Sequence, residues 1–226
     1  MEIVLSHLLR GARSASGLAV IIDVFRAAST AAYILGNGAE EIVLAKTFNE
    51  AFEYKRKDPG CVLVGEKHGL SVPGFDYGNS PYKASLADFS GKKVVMKTSS
   101  GTAGILSAGR ADEVLFAGFV NVSASAEYIA KKGPARVTIV GMGWEGRKKT
   151  EEDELCAEYL EMLLTNGVPD FDGMKESLRH AESSRRFFSD KPDWSEKDFY
   201  YALDLDRFDY AMKAVNNGGI TSLVRA

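Results

Sequence analysis

Six short apolar runs constrain this chain most: residues 18–23, 41–45, 61–65, 93–98, 113–117 and 136–141, each bounded by Gly, Pro or polar residues. Unbroken Val/Ile/Leu runs of this length have the pattern of strands buried on both faces. Segments of helical periodicity lie between and after them, at 27–35, 49–56, 103–108, 123–132 and 150–165. The repeated strand–helix order predicts an α/β fold, a largely parallel or mixed sheet covered by helices on both faces. Boundary residues agree: Thr47 or Asn49 can cap one helix, Asn121 and Ser123 another, and Gly133-Pro134 stops the latter. Beyond Val168 the chain turns more charged and aromatic, with short helical segments and no clear strand. About 55 residues seldom bury enough surface alone. Residues 170–226 are therefore expected to form a helical portion packed on a single domain spanning 1–226.

Several function classes fall away at once. No apolar run approaches the ~18–20 residues of a membrane span, and the short apolar N-terminal segment lacks a cleavage-site pattern. The net charge of −3 comes with no basic block, so nucleic acid is not an expected partner. Cys61 and Cys156 have no second Cys or His at zinc-ligand spacing, and read as two free buried thiols of a cytoplasmic protein. Oligomeric state stays open, a homo-oligomer included.

Ligands of open α/β sheets bind outside the carboxyl ends of the strands, and four polar clusters follow expected strands. Asp23 ends the first run, with Arg26 at the start of the next helix. Such an Asp can hold a metal or simply cap the helix; Phe25, two residues on, removes the paired aspartate that haloacid-dehalogenase phosphatases need. The second cluster, Glu66-Lys67-His68-Gly69 followed by Asp76, Tyr77 and Asn79, is too long and glycine-rich for a minimal connection. His68 could be a base, although a lone loop histidine is more often incidental. Third, Ser99-Ser100-Gly101-Thr102 can present hydroxyls and backbone N–H groups to an anion, or serve as an ordinary cap. The Walker ending is absent. Last, Gly141-x-Gly143-x-x-Gly146 has the letters of a dinucleotide fingerprint, but Glu145 and Arg147 would crowd a pyrophosphate and no strand ending in an acid follows ~20 residues on. Glu151 and Glu152 read as the solvated first turn of a helix. Asp153 and Cys156, three apart, can share one inward face.

In this order the clusters resemble the 2-phosphosulfolactate phosphatase family. Asp23-Val24-Phe25-Arg26-Ala27 is similar to its Asp-Val-x-Arg-Ala signature, and Gly74-Phe75-Asp76-Tyr77-Gly78-Asn79-Ser80-Pro81 resembles its central loop. Ser99–Thr102, Phe119-Val120-Asn121, Gly143-Trp144-Glu145-Gly146-Arg147 and Glu152–Ala157 match further pieces. Ser100, Lys67 and His68 depart from the residues usual there. The resemblance implies Mg²⁺-assisted hydrolysis of a small anionic phosphoester, (2R)-phospho-3-sulfolactate, in coenzyme M synthesis. It implies Asp23 and Glu145 as metal ligands and Asp23, Arg26, Glu66, Asp76 and Arg147 as catalytic residues. Lys67, Asn79, Ser99, Ser100, Gly101 and Thr102 would contact substrate. The competing readings are a phosphatase of another 2-phospho hydroxy acid and a non-enzymatic module that binds an anionic metabolite.

Overall fold

A computed structural model describes residues 1–226. Its strands are β1 (Glu2–His7), β2 (Leu18–Ile22), β3 (Glu41–Leu44), β4 (Val62–Lys67), β5 (Leu70–Ser71), β6 (Val94–Lys97), β7 (Glu113–Ala117), β8 (Arg136–Gly141), β9 (Met212–Asn217) and β10 (Ile220–Arg225). The helices are α1 (Leu8–Ser14), α2 (Ala27–Gly36), α3 (Phe48–Lys57), α4 (Pro81–Ser85), α5 (Gly101–Ser107), α6 (Val122–Lys132), α7 (Glu151–Leu164), α8 (Phe171–His180) and α9 (Glu196–Ala202). None is long and apolar enough to cross a membrane. All six apolar runs are strands, and the five helical segments fall within a few residues of their expected limits.

The mixed sheet has the order β1-β8-β2-β7-β9-β10-β3-β6-β4-β5. Two parallel blocks, β1-β8-β2-β7 and β3-β6-β4, flank the antiparallel hairpin β9–β10. The reading of residues 170–226 as strandless is therefore corrected: α8 and α9 are helical, but the last residues supply two central strands. Their turn, Gly218-Gly219, has φ of 62° and 86°, and two positive φ values suit a two-residue hairpin loop.

Alternation along the strands sorts two faces. Ala19, Ile21, Ile42, Leu44, Val94 and Met96 pack with α2 in one core cluster. Leu18, Val20, Ile22 and Ile139 instead face α6 and α7, while Val43, Leu63 and Val95 face α3. Every residue of α2 from Ala27 to Leu35 is buried. A helix apolar all round belongs inside a core, and its small residues Ala27, Ala28, Ala31 and Ala32 let neighbouring elements approach closely. The sheet thus wraps a central helix, a finer arrangement than helices laid on two open faces.

This wrapping positions the site. Across the intervening hairpin the two parallel blocks are opposed in the local ladder. A typical rotation of roughly 20–25° per strand pair accumulates to about 120–150° over the six steps from β2 to β4. The carboxyl ends of β4 and β6 are thereby carried round to meet those of β2 and β8.

One glycine is essential to that junction. Gly65 has φ +150°, and a Cβ there would lie 1.9 Å from the Lys97 carbonyl oxygen. Because that obstacle is backbone, Gly65→Ala must push β4 from β6. It is expected to cost about 3 kcal/mol or more, read from the urea midpoint; an unchanged midpoint would refute this account.

Candidate active site

Loops after β2, β4, β6 and β8 converge on a narrow cleft lined by Asp23, Arg26, Glu66, Asn79, Ser99, Ser100 and Glu145, among others. Asp23 is 5% exposed, and its Oδ1 accepts the Ala27 N–H at 3.0 Å. The helix-cap geometry considered from sequence is therefore present, but it occupies one oxygen. A Cβ on Gly101 would meet Phe116 Cζ at 2.6 Å and the Asp23 Oδ2 at 2.8 Å, so glycine at 101 makes room for both the ring and the carboxylate. Burial, with the Glu66 and Glu152 carboxylates nearby, pushes the Asp23 pKa up to about 7 against the bonds from Ala27 and Gly101.

Glu66, also buried, is tightly held. Its Oε2 accepts the Gly69 N–H at 2.6 Å and the Ser99 hydroxyl at 3.1 Å, and its Oε1 accepts the Ser99 N–H at 2.5 Å. This alters the role of the Ser99–Thr102 turn. Its N–H groups do not await an anion from solution, because Glu66 takes that of Ser99 and Asp23 approaches that of Gly101. Thr102 lies beneath, fully buried, its N–H donating to the Thr98 hydroxyl at 3.1 Å. Ser100 donates to the Gly143 carbonyl at 2.7 Å and so ties the β6 loop to the β8 loop.

Arg26 is 3% exposed and forms an ion pair with Asp198 of α9 at 3.0 Å. It also donates to the Asp193 carbonyl at 2.7 Å and the Gly69 carbonyl at 3.1 Å, and stacks on Trp194 at 3.9 Å. Burial lowers its pKa, and Asp198 opposes that shift. Asn79 is buried, and its Oδ1 has no hydrogen-bond partner in the protein, which marks it as a free contact for a ligand. Glu145 pairs with His68, Oε1 to Nδ1 at 2.6 Å, so the loop histidine is not isolated.

Three residues singled out in the sequence lie elsewhere. Asp76 accepts from Lys55 and from the Leu63 N–H, bracing α3 and β4 away from the cleft. Arg147 and Lys67 are exposed and do not line it. Asp153 and Cys156 do share an inward face. Asp153 accepts the Val24 N–H at 2.8 Å and the Gly143 N–H at 2.7 Å, clamping the β2 and β8 loops together. Burial, with Glu152 and Asp23 close by, raises the Asp153 pKa well above the ordinary carboxylate value. Glu152 departs from the expected solvated first turn: it is 3% exposed, and burial raises its pKa. Helix α6 is capped by Asp206, whose Oδ1 accepts the Ser123 N–H at 2.9 Å, with no cap bond from Asn121. Both cysteines are free and buried. Asp198, Asp193 and Trp194, all from the C-terminal portion, went unnoticed in the sequence.

No three His, Cys, Asp or Glu side chains cluster closely enough to hold a metal ion by themselves. Mg²⁺ does not require that, since it takes one or two carboxylates and completes its shell with water and phosphate oxygens. Asp23, Glu66 and Glu145 crowd one cleft, while the nearest buried cation, Arg26, is committed to Asp198. That excess of negative charge fits a bound cation.

The sequence profile described as 2-phosphosulpholactate phosphatase matches residues 4–217. The chain belongs to the 2-phosphosulfolactate phosphatase family. It is 30% identical over 211 residues to a probable 2-phosphosulfolactate phosphatase of Bacillus subtilis, covering 91% of this chain and 90% of that one. A protein of the same description from Thermoplasma acidophilum is 36% identical over 167 residues, 74% of this chain and 73% of the other. One from Deinococcus radiodurans is 36% identical over 170 residues, 75% and 70% respectively. The matched range extends to Asn217 and so spans both the loops of the cleft and most of the C-terminal portion.

Proposed function

We propose that this family member is a cytoplasmic, Mg²⁺-dependent phosphatase that hydrolyses (2R)-phospho-3-sulfolactate to 3-sulfolactate and phosphate, as in coenzyme M synthesis. The observation that carries the reading is the convergence of Asp23, Glu66 and Glu145 on one cleft at the ends of three strands. A module that only bound an anion would have no use for three acids there.

Asp23 and Glu145 would hold the metal, and Mg²⁺ supplies charge neutralisation on the phosphoryl oxygens. His68 orients Glu145 through the 2.6 Å bond. Glu66, bonded by Gly69 and Ser99, positions the two loops and leaves no oxygen unengaged for proton transfer. Asn79 offers its unpartnered Oδ1, an acceptor suited to an O–H donor, such as a water, rather than to a phosphoryl oxygen. Arg26 has used three of its five donors on protein oxygens, so at most two can reach the substrate. A water oxygen attacks phosphorus, the bond to the ester oxygen breaks, and that oxygen leaves with a proton as the hydroxyl of the product.

Phosphate release is the direct test, from phosphosulfolactate and from other 2-phospho hydroxy acids, with Mg²⁺ or with EDTA. Turnover of phosphosulfolactate is expected to need Mg²⁺ and to return when the metal is restored. Equal rates in EDTA would remove the metal from the mechanism. Faster release from another 2-phospho acid would reassign the substrate, and release from none would end the enzyme reading.

A further inference from the structure

The cleft at Asp23 is small, with about 30 Å³ of free space. Beside it lies a second cavity of about 810 Å³, and Trp144 and Trp194 belong to the walls of both. A substrate whose phosphoryl group reaches Asp23 must therefore leave the rest of its atoms in the larger space.

Two cations of that space, Arg186 and the exposed Lys191, form no ion pair, and of these only Arg186 is held in place by its neighbours. The Arg186 guanidinium lies 4.1 Å from the Trp144 ring centroid and 4.6 Å from that of Trp194. Its Nε donates to the Ser183 carbonyl at 2.9 Å, while its two terminal nitrogens make no hydrogen bond or ion pair with the protein. Lys148 and Lys149 line the same cavity but are neutralised by Glu182 and Glu154 at 2.9 and 2.8 Å. Two acids of the wall are thus spent on lysines, a third, Glu151, accepts the Glu182 N–H at 3.2 Å, and buried Glu152 faces Arg186 without bonding to it. Two indoles hold the planar fork rigid, so little side-chain entropy remains to be lost when it takes an oxyanion. Trp194 also carries Arg26, which links this fork directly to the catalytic cleft.

We propose that Arg186 is the specificity residue of this site, binding the carboxylate or sulfonate that the substrate carries beside its phosphoester. The assignment rests on the phosphatase reading for its substrate, and on the geometry of the second cavity for its place. A bidentate charge-assisted pair is worth about 1.5–3 kcal/mol, a factor of roughly 10–100 in affinity.

The chain has two tryptophans, and both flank Arg186. Tryptophan emission therefore reports on this wall and the adjoining cleft, and the Arg186 variants separate the two. Titration of the full chain with 3-sulfolactate should give a saturable change whose Kd rises about 10–100-fold in Arg186→Met. The KM for phosphosulfolactate should rise by a similar factor with kcat within about twofold, and hydrolysis of 4-nitrophenyl phosphate should be unaffected. Arg186→Lys keeps the stem and the charge but loses the fork. If Met disturbs folding, a folded Lys variant should still bind sulfolactate more weakly. Lactate and 2-hydroxyethanesulfonate, run alongside, identify the group held as the one whose response the variants lose. Wild-type sulfolactate affinity in both variants, or an equal loss on 4-nitrophenyl phosphate, would overturn the proposal. If the wild-type chain releases no phosphate, the phosphatase reading fails, and the emission titration still decides Arg186.

Discussion

Asp23→Asn is expected to lower phosphate release by roughly 10³-fold or more at saturating Mg²⁺, about 4 kcal/mol of lost transition-state stabilisation. Asn preserves the shape of the side chain and an Oδ1 that can still accept the Ala27 N–H, so the start of α2 keeps its bond. What disappears is the charge. Stability should move the opposite way in the metal-free protein. An unfolded Asp ionises near its ordinary 3.8, whereas burial beside Glu66 and Glu152 pushes the folded group up to about 7. Between those values the folded chain holds a proton that the unfolded chain has released. Stability therefore falls as pH rises through that window, and the loss is complete above it. Asn does not titrate. The variant should match the wild type near pH 4 and exceed it at pH 8, by an amount on the order of a few kcal/mol. Added Mg²⁺ should close that gap by stabilising only the wild type. Urea midpoints across pH, with phosphate release on the same samples, check both effects. Near-wild-type turnover would end the assignment of Asp23.

The contrast between Asp23 and Asp76 explains what could be read in advance. Asp23 directly follows a strand apolar at every position, so the rule that ligands gather at strand ends locates it. Asp76 sits in the most specific motif of the chain, yet that loop bonds along β4, through the Tyr77 carbonyl to Gly65 and the Leu63 N–H to Asp76. Its residue pattern encodes the loop's path as much as the chemistry. Strands β2, β7 and β8 announced themselves because both faces are covered. β1, an edge strand with a half-exposed pattern, and the polar β9–β10 hairpin did not. Asn217-Gly218-Gly219 was nevertheless a legible turn signal, and counting it would have placed a hairpin in the last residues. Periodicity had no means of joining Asp198 to Arg26. They are 172 residues apart, and only the curl of the sheet around α2 brings α9 over the cleft.

Asp198→Ala should therefore damage the fold and the site together. Arg26 and Asp198 are 3% and 1% exposed and pair at 3.0 Å. The other Asp198 oxygen accepts the Ser80 hydroxyl at 2.5 Å and the Tyr82 N–H at 3.2 Å. One carboxylate thus joins the start of α2, the start of α4 and α9. Removing it leaves a guanidinium in the interior without its bonded carboxylate, with only Glu66 and Asp193 acting on it from farther off; breaking a buried pair in this way costs about 3–5 kcal/mol. Asp76→Ala provides the contrast, because its pair with Lys55 is about a third exposed and is worth under about 1 kcal/mol. The double replacement Arg26→Met with Asp198→Leu separates structure from chemistry. Two apolar side chains of similar volume should restore most of the stability, since the desolvation of both charges is relieved. Activity should not return, because Arg26 lines the cleft and anchors Trp194. Urea midpoints for the four proteins, read beside their kcat values, test this directly. If Asp198→Ala unfolds at the wild-type midpoint, the pair does not hold the C-terminal portion over the cleft. If the double variant turns over normally, Arg26 has no part in the reaction.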